Sequence, residues 1–147
     1  FTSYATICLA EGLEKEGVVH TIERDESLKD FIEETIAKFN LEDKIKLHIG
    51  NAIEVIDSIE GNFDLIFIDA DKASYPLYFN KCVERLNSGG IMIADNILWY
   101  GKIVLDVKDS DKETKAIMNF NKMVTEDERL DNLIIPLRDG LMVARKK

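Results

Sequence analysis

The chain has 147 residues, 46% hydrophobic and 32% charged, a globular composition that excludes intrinsic disorder. Its 28 acids against 19 bases leave a net charge of −9, which excludes a general attraction to nucleic-acid phosphates or anionic membranes. No apolar stretch approaches the roughly 20 residues of a membrane span, and Cys8 and Cys82 stand isolated in apolar-periodic segments. The expectation is a cytoplasmic protein with both thiols buried and reduced. The chain opens on Phe1 inside a pattern, which predicts a single domain whose N-terminal portion is absent.

Hydrophobic periodicity predicts alternating helices and strands. Thr2–Leu13 reads as a helix stopped by Gly17, Val18–Glu23 as a strand, and Glu26–Phe39 as an amphipathic helix. That helix places Leu28, Phe31, Ile32, Thr35, Ile36 and Phe39 on one face. Ile45–Ile49 is the next strand and Ala52–Ile59 a short helix. Strands starting at Phe63 and Gly90 flank a helix over Tyr75–Leu86. Asp106–Glu113 reads as a solvated loop and helix start, followed by a helix over Thr114–Val124. Leu130–Pro136 and Leu141–Arg145 are strands joined by the turn Arg138-Asp139-Gly140. A connection that short makes them antiparallel, because parallel neighbours need a long crossover. The fold class is therefore α/β, mostly parallel, with a C-terminal antiparallel hairpin.

Two acidic clusters close two of the apolar runs: Phe67-Ile68-Asp69-Ala70-Asp71-Lys72 and Ile93-Ala94-Asp95-Asn96. Runs this short and apolar read as strands buried on both faces of a parallel sheet, whose ligands sit beyond the strands' carboxyl ends. With neighbouring strands about 4.8 Å apart, Asp69, Asp95 and Asn96 can converge on one hard cation. The bland reading is that each Asp caps the turn that follows it. Glu23, ending a strand, is placed to accept ribose hydroxyls, as in any nucleoside-binding sheet of this class. Trp99 and Tyr100 follow the second cluster in a loop and are candidates to wall a flat aromatic acceptor, or else to pack beneath the loop. His20 and His48 lie inside strands and read as core residues.

These motifs, with Ile97-Leu98-Trp99-Tyr100-Gly101 and Pro136-Leu137-Arg138-Asp139-Gly140-Leu141, resemble those of cation-dependent O-methyltransferases of the caffeoyl-coenzyme A and catechol type, bacterial members included. The resemblance spans the whole chain. It implies a Rossmann-like fold that uses S-adenosylmethionine and a divalent cation, Mg²⁺ foremost, with Ca²⁺ or Mn²⁺ as alternatives. It puts the metal ligands on Asp69, Asp95 and Asn96 and the motif lysine on Lys72, which serves as base or as electrostatic partner. It puts cofactor contacts on Glu23 for the ribose, Ala52 for the adenine, and Asp69 and Asp71 near the methionine part. The segment Phe1-Thr2-Ser3-Tyr4-Ala5 resembles the stretch after the cofactor loop, and Ala5 replaces a contacting Ser of plant relatives. Tyr100 replaces an Asn that touches substrate in those relatives.

The resemblance also implies a homodimer, and a first strand, expected to precede Phe1, that lies between the strands ending at Glu23 and Asp69. The expected activity is methyl transfer to a hydroxyl of a small catechol-like aromatic. The same chemistry on a hydroxylated tRNA base, a nucleotide-binding oxidoreductase on a related fold, and a catalytically silent module are the competing expectations. No full GxGxxG supports the oxidoreductase.

Overall fold

The computed structural model describes residues 3–147, so Phe1 and the expected helix start at Thr2 lie outside the described residues. The chain divides into two compact units, Phe1–Ile59 and Glu60–Lys147.

The first unit contains α1 (Tyr4–Glu11), β1 (Val19–Glu23), α2 (Lys29–Lys38), β2 (Ile45–Ile49) and α3 (Ala52–Ser58). β1 and β2 pair in parallel from Val19↔Ile45 to Glu23↔Ile49. Ala10, Ile32, Ile36 and Ile45 form the core of this unit. The helix expected from Glu26 begins instead with a 3-10 turn over Glu26–Leu28, because the Asp25 carboxylate accepts from the Ser27 N–H at 2.9 Å. Of its predicted apolar face, Ile32 and Ile36 are buried, whereas Phe31 and Phe39 are 50% and 55% exposed.

Two further expectations are corrected in this unit. Cys8 is exposed. His20 and His48 are half-buried partners, Nδ1 to Nε2 at 2.9 Å, with stacked rings 5.2 Å apart. The register explains the pairing: His20 lies opposite Lys46, so His48 is the diagonal neighbour on the same face. Burial, then the charges of His48 and Lys46, hold His20 below the usual imidazole range.

The second unit contains β3 (Phe63–Ile68), α4 (Tyr75–Arg85), β4 (Leu86–Asp95), α5 (Lys112–Glu126), β5 (Leu130–Ile135) and β6 (Leu141–Lys146). Its sheet runs β3-β4-β6-β5. β3 and β4 are parallel, while β6 is antiparallel to both β4 and β5, as the hairpin reading requires. β4 starts earlier than Gly90: Leu86 already pairs with Phe63, ahead of a register irregularity. Tyr75, Phe79 and Val83 of α4 bury their face against Ile117, Phe120 and Val124 of α5 and Met92, Ala94, Met142 and Ala144 of the sheet. Phe79 and Phe120 meet edge to face, with centroids 6.1 Å apart.

β3 departs from the expectation of a strand buried on both faces, since Leu65 is 41% exposed and only Ile68 is fully buried. Within this sheet β3 is an edge strand. Cys82 is buried as expected, and burial pushes its thiol up to about 12. Among the described residues no helix is long and apolar enough to cross a membrane.

The turn before β6 depends on Gly140, which adopts φ +80° with an ideal Cβ position only 2.5 Å from Leu98 Cγ. Gly140→Ala should therefore destabilise the protein by more than about 1 kcal/mol, read as a lower urea midpoint at unchanged m-value. An unchanged midpoint would contradict the close approach.

Candidate active site

Register brings the acids of the two clusters to the same end of the sheet. Ile68 and Ala94 are paired parallel neighbours, and the next residue along each strand is Asp69 and Asp95. Asp95 Oδ1 accepts from the Asn96 N–H at 2.6 Å, and Asn96 turns the chain with φ 62°. A short polar side chain tolerates that left-handed conformation better than most. The sequence expectation that Asp69, Asp95 and Asn96 share one sheet end is thus met in the backbone.

Lys72 is the largest departure from an ordinary surface lysine. It opens a 3-10 turn, Lys72–Ser74, and is 7% exposed. Its Nζ donates to Asp69 Oδ1 at 3.1 Å and to the Tyr75 hydroxyl at 2.6 Å, and lies 4.7 Å from the Tyr75 ring centroid. Asp69 is the outer member of this pair, with a side chain 53% exposed against 8% for Lys72.

Tyr75 is the functional residue that sequence reading missed. At the start of an apolar-periodic helix, a tyrosine reads as core. It is fully buried, yet its hydroxyl donates toward the backbone carbonyls of Asp95 at 2.8 Å and Ile68 at 3.3 Å. Burial, then the carboxylates of Asp69 and Asp95, raise its pKa and keep the phenol neutral. The available signal was its spacing, three residues after Lys72 on a turn entering a helix, which brings the two side chains together.

Asp71 is exposed and accepts from the Tyr78 hydroxyl at 2.7 Å. Burial pushes its carboxyl up, but hydrogen bonds from Ser74, Tyr78 and the backbone outweigh that and hold it below the usual range.

The loop after β4 is clamped from the hairpin. Ile97 N–H donates to Gly140 O at 3.2 Å, Leu98 N–H to Asp139 O at 2.9 Å, and Tyr100 N–H to Asp139 Oδ1 at 2.7 Å. This permits three consecutive left-handed residues, Trp99, Tyr100 and Gly101, at φ 47°, 56° and 73°. The two expected acceptor-wall residues then divide. Trp99 packs against the core, with Lys102 Nζ 5.8 Å from its ring, whereas Tyr100 is 79% exposed. Their centroids lie 5.4 Å apart.

The remaining expected cofactor residues lie in the first unit. Glu23 ends β1, and its carboxylate accepts from the Asp25 N–H at 2.8 Å. Its carbonyl accepts from Gly50 N–H at 2.9 Å, one turn before Ala52 opens α3 under an Asn51 cap. Ala5 is exposed on α1. Glu23 and the start of α3 are thus linked through the Gly50 backbone, while Asp69, Asp71, Lys72, Asp95 and Asn96 follow the ends of β3 and β4 in the second unit.

Among the described residues no group of three or more His, Cys, Asp or Glu side chains is arranged to hold a metal ion. The set at the β3 and β4 ends has two carboxylates and one amide, all oxygen donors of the kind hard cations take. Register, donor chemistry and the half-exposed Asp69 fit a divalent ion.

Comparison with known proteins gives this arrangement a context. A family model for O-methyltransferases matches residues 1–147. A caffeoyl-CoA O-methyltransferase of Populus kitakamiensis is 32% identical, over 99% of this chain and 66% of that protein. The catechol O-methyltransferase domain-containing protein 1 of Mus musculus is 30% identical, over 99% of this chain and 57% of that protein. The chain thus spans less than two thirds of the length of these relatives. The solved structure of an O-methyltransferase from Bacillus cereus in complex with SAH is similar at a TM-score of 0.93 and 29% identity, over 99% of this chain and 70% of that one.

The clamp on the aromatic loop is testable. Asp139→Ala removes the acceptor of the Tyr100 N–H, so Trp99 should become more accessible. Acrylamide quenching of Trp99 fluorescence, isolated by subtracting a Trp99→Phe spectrum, should rise about twofold or more as the loop opens more often. Unchanged quenching would mean that the loop holds itself.

Proposed function

This chain belongs to the O-methyltransferase family, and we propose that it carries the catalytic centre of an S-adenosylmethionine- and divalent-cation-dependent enzyme that methylates a hydroxyl of a small catechol-like aromatic. The observation that carries the reading is that Asp69 and Asp95 directly follow the paired residues Ile68 and Ala94 at adjacent parallel strand ends, with buried Lys72 on Asp69. SAH in the Bacillus cereus relative supports the choice of methyl donor.

In this reading Asp69, Asp95 and Asn96 hold the cation, with Mg²⁺ foremost and Ca²⁺ or Mn²⁺ equally compatible with oxygen donors. Such an ion lowers the pKa of an acceptor hydroxyl, otherwise near the phenol value of about 10, and fixes its oxygen. The family resemblance assigns Glu23 to the ribose hydroxyls, Ala52 to the adenine and Ala5 to a cofactor-contacting position, and in the second unit it assigns Asp69 and Asp71 to the methionine part. Lys72 sits where it either takes the hydroxyl proton at Nζ or offers its charge to the phenolate. The bound methyl donor would supply a sulfonium methyl whose C–S bond breaks as the C–O bond forms, leaving the neutral thioether, with the hydroxyl proton taken by Lys72 or by solvent. Tyr100, exposed beside Trp99, meets the flat acceptor.

A methyl-transfer screen over catechols, hydroxycinnamoyl thioesters and tRNA, with and without Mg²⁺, tests the reading. Catechols should be methylated only with the ion, and full turnover in excess chelator would refute the cation. Asp95→Ala should cost at least the roughly 100-fold that loss of an outer-shell partner costs a metal site. Methylation of tRNA alone would replace the acceptor class, and no transfer to any of the three would refute the reading.

Glu23→Ala removes one charged hydrogen-bonding partner of the cofactor. Calorimetry should show affinity weaker by about 1.5–3 kcal/mol. Equal affinity would move the nucleoside site away from the end of β1.

A further inference from the structure

We infer that Tyr75 is a positioning residue that aims Lys72 at the acceptor oxygen; this rests on the methyl-transfer reading above. The carbonyls of Asp95 and Ile68, at 2.8 and 3.3 Å, can only accept. The Tyr75 proton is therefore committed to the backbone. Its oxygen then presents a lone pair to Lys72 Nζ at 2.6 Å, and an ammonium can only donate. The polarity of the whole chain is fixed: Lys72 gives to Tyr75, and Tyr75 gives to the strand ends.

Lys72 has three N–H donors. Tyr75 takes one and Asp69, at 3.1 Å, takes a second, leaving the third position on Nζ, an N–H in the ammonium or a lone pair in the free amine, for the acceptor oxygen. A lysine stem has four rotatable bonds, so its head samples many positions unless two fixed partners select one. Asp69 is half-exposed and cannot supply that precision alone. Tyr75 can, because its ring is wedged edge-on against Phe120, with centroids 5.2 Å apart, and is fully buried. Tyr75 thus transmits the rigidity of the α4–α5 core to the buried head of Lys72.

The test is a double-mutant cycle on the whole protein with a catechol acceptor and Mg²⁺. Tyr75→Phe keeps the ring and removes only the hydroxyl. It should lower kcat by about 10- to 100-fold, the range for losing a hydrogen bond to a charged group, with KM for the methyl donor unchanged. In a Lys72→Met background the same change should alter kcat by less than about twofold, because the residue it aims is gone. An equal loss in both backgrounds, or no loss in the wild-type background, would overturn the proposal and leave Tyr75 a structural residue. If Tyr75→Phe does not fold, lysine-¹⁵N-labelled wild type decides. Lys72 should give a slowly exchanging ammonium signal that vanishes in Lys72→Met, and its absence would overturn the tether. Should wild type methylate nothing, the functional reading fails while this spectrum still judges the tether.

Discussion

The parallel register of β3 on β4, Ile68 opposite Ala94, is the constraint from which the site follows. Side chains alternate along a strand, so a slip of one residue would exchange the faces on which Asp69 and its neighbours stand. Parallel strands cannot be joined by a tight turn, and α4 makes the crossover between them. The helix that closes the topology also delivers Tyr75 to both strand ends. One side chain therefore couples the packing of α4 against α5 to the spacing of the two acids.

The antiparallel hairpin has a second use. β6 pairs with β4 from Ile91↔Arg145 to Asp95↔Leu141, so its preceding turn arrives beside the loop that leaves β4. The backbone of Asp139 and Gly140 accepts from Ile97 and Leu98, and the Asp139 carboxylate accepts from Tyr100. Trp99 and Tyr100 in left-handed conformations cost on the order of 1–3 kcal/mol each unless their surroundings over-determine them. The hairpin turn supplies those surroundings, and Gly140 can come that close because it lacks a Cβ. The turn before the last strand thereby holds an aromatic pair across a contact that spans 39 positions of sequence.

In the first unit the positioning is local. Glu23 is fixed by its own turn, through Asp25, and by its strand partner's exit at Gly50. Glycine at Gly50, with φ +147°, lets that exit bend toward α3 and Ala52. The His20–His48 pair lies on the same two strands but involves no residue of the nucleoside reading. Burial keeps His20 below the usual imidazole range, and at 2.9 Å one ring must accept from the other. That requires a neutral nitrogen.

Sequence alone determined the strand–helix alternation, the antiparallel hairpin and the two acid-bearing strand ends. Each is local: apolar period, turn chemistry and the residue that closes a run are all set by neighbours a few positions away. The tertiary structure decided how deep each side chain lies and whom it meets. Phe31 and Phe39 fit the helical period of Ile32 and Ile36 yet stay exposed, because what covers a helix face is not written in that period. Cys8 is exposed and Cys82 buried from similar apolar contexts. Lys72 is legible as a lysine near an acid, but its burial depends on Tyr75, and Tyr75 acquires its role from Asp95, 20 residues away on another strand. Hydrogen bonds across that separation leave no periodic trace, so only the folded chain reveals that the tyrosine, and not the lysine alone, organises the site.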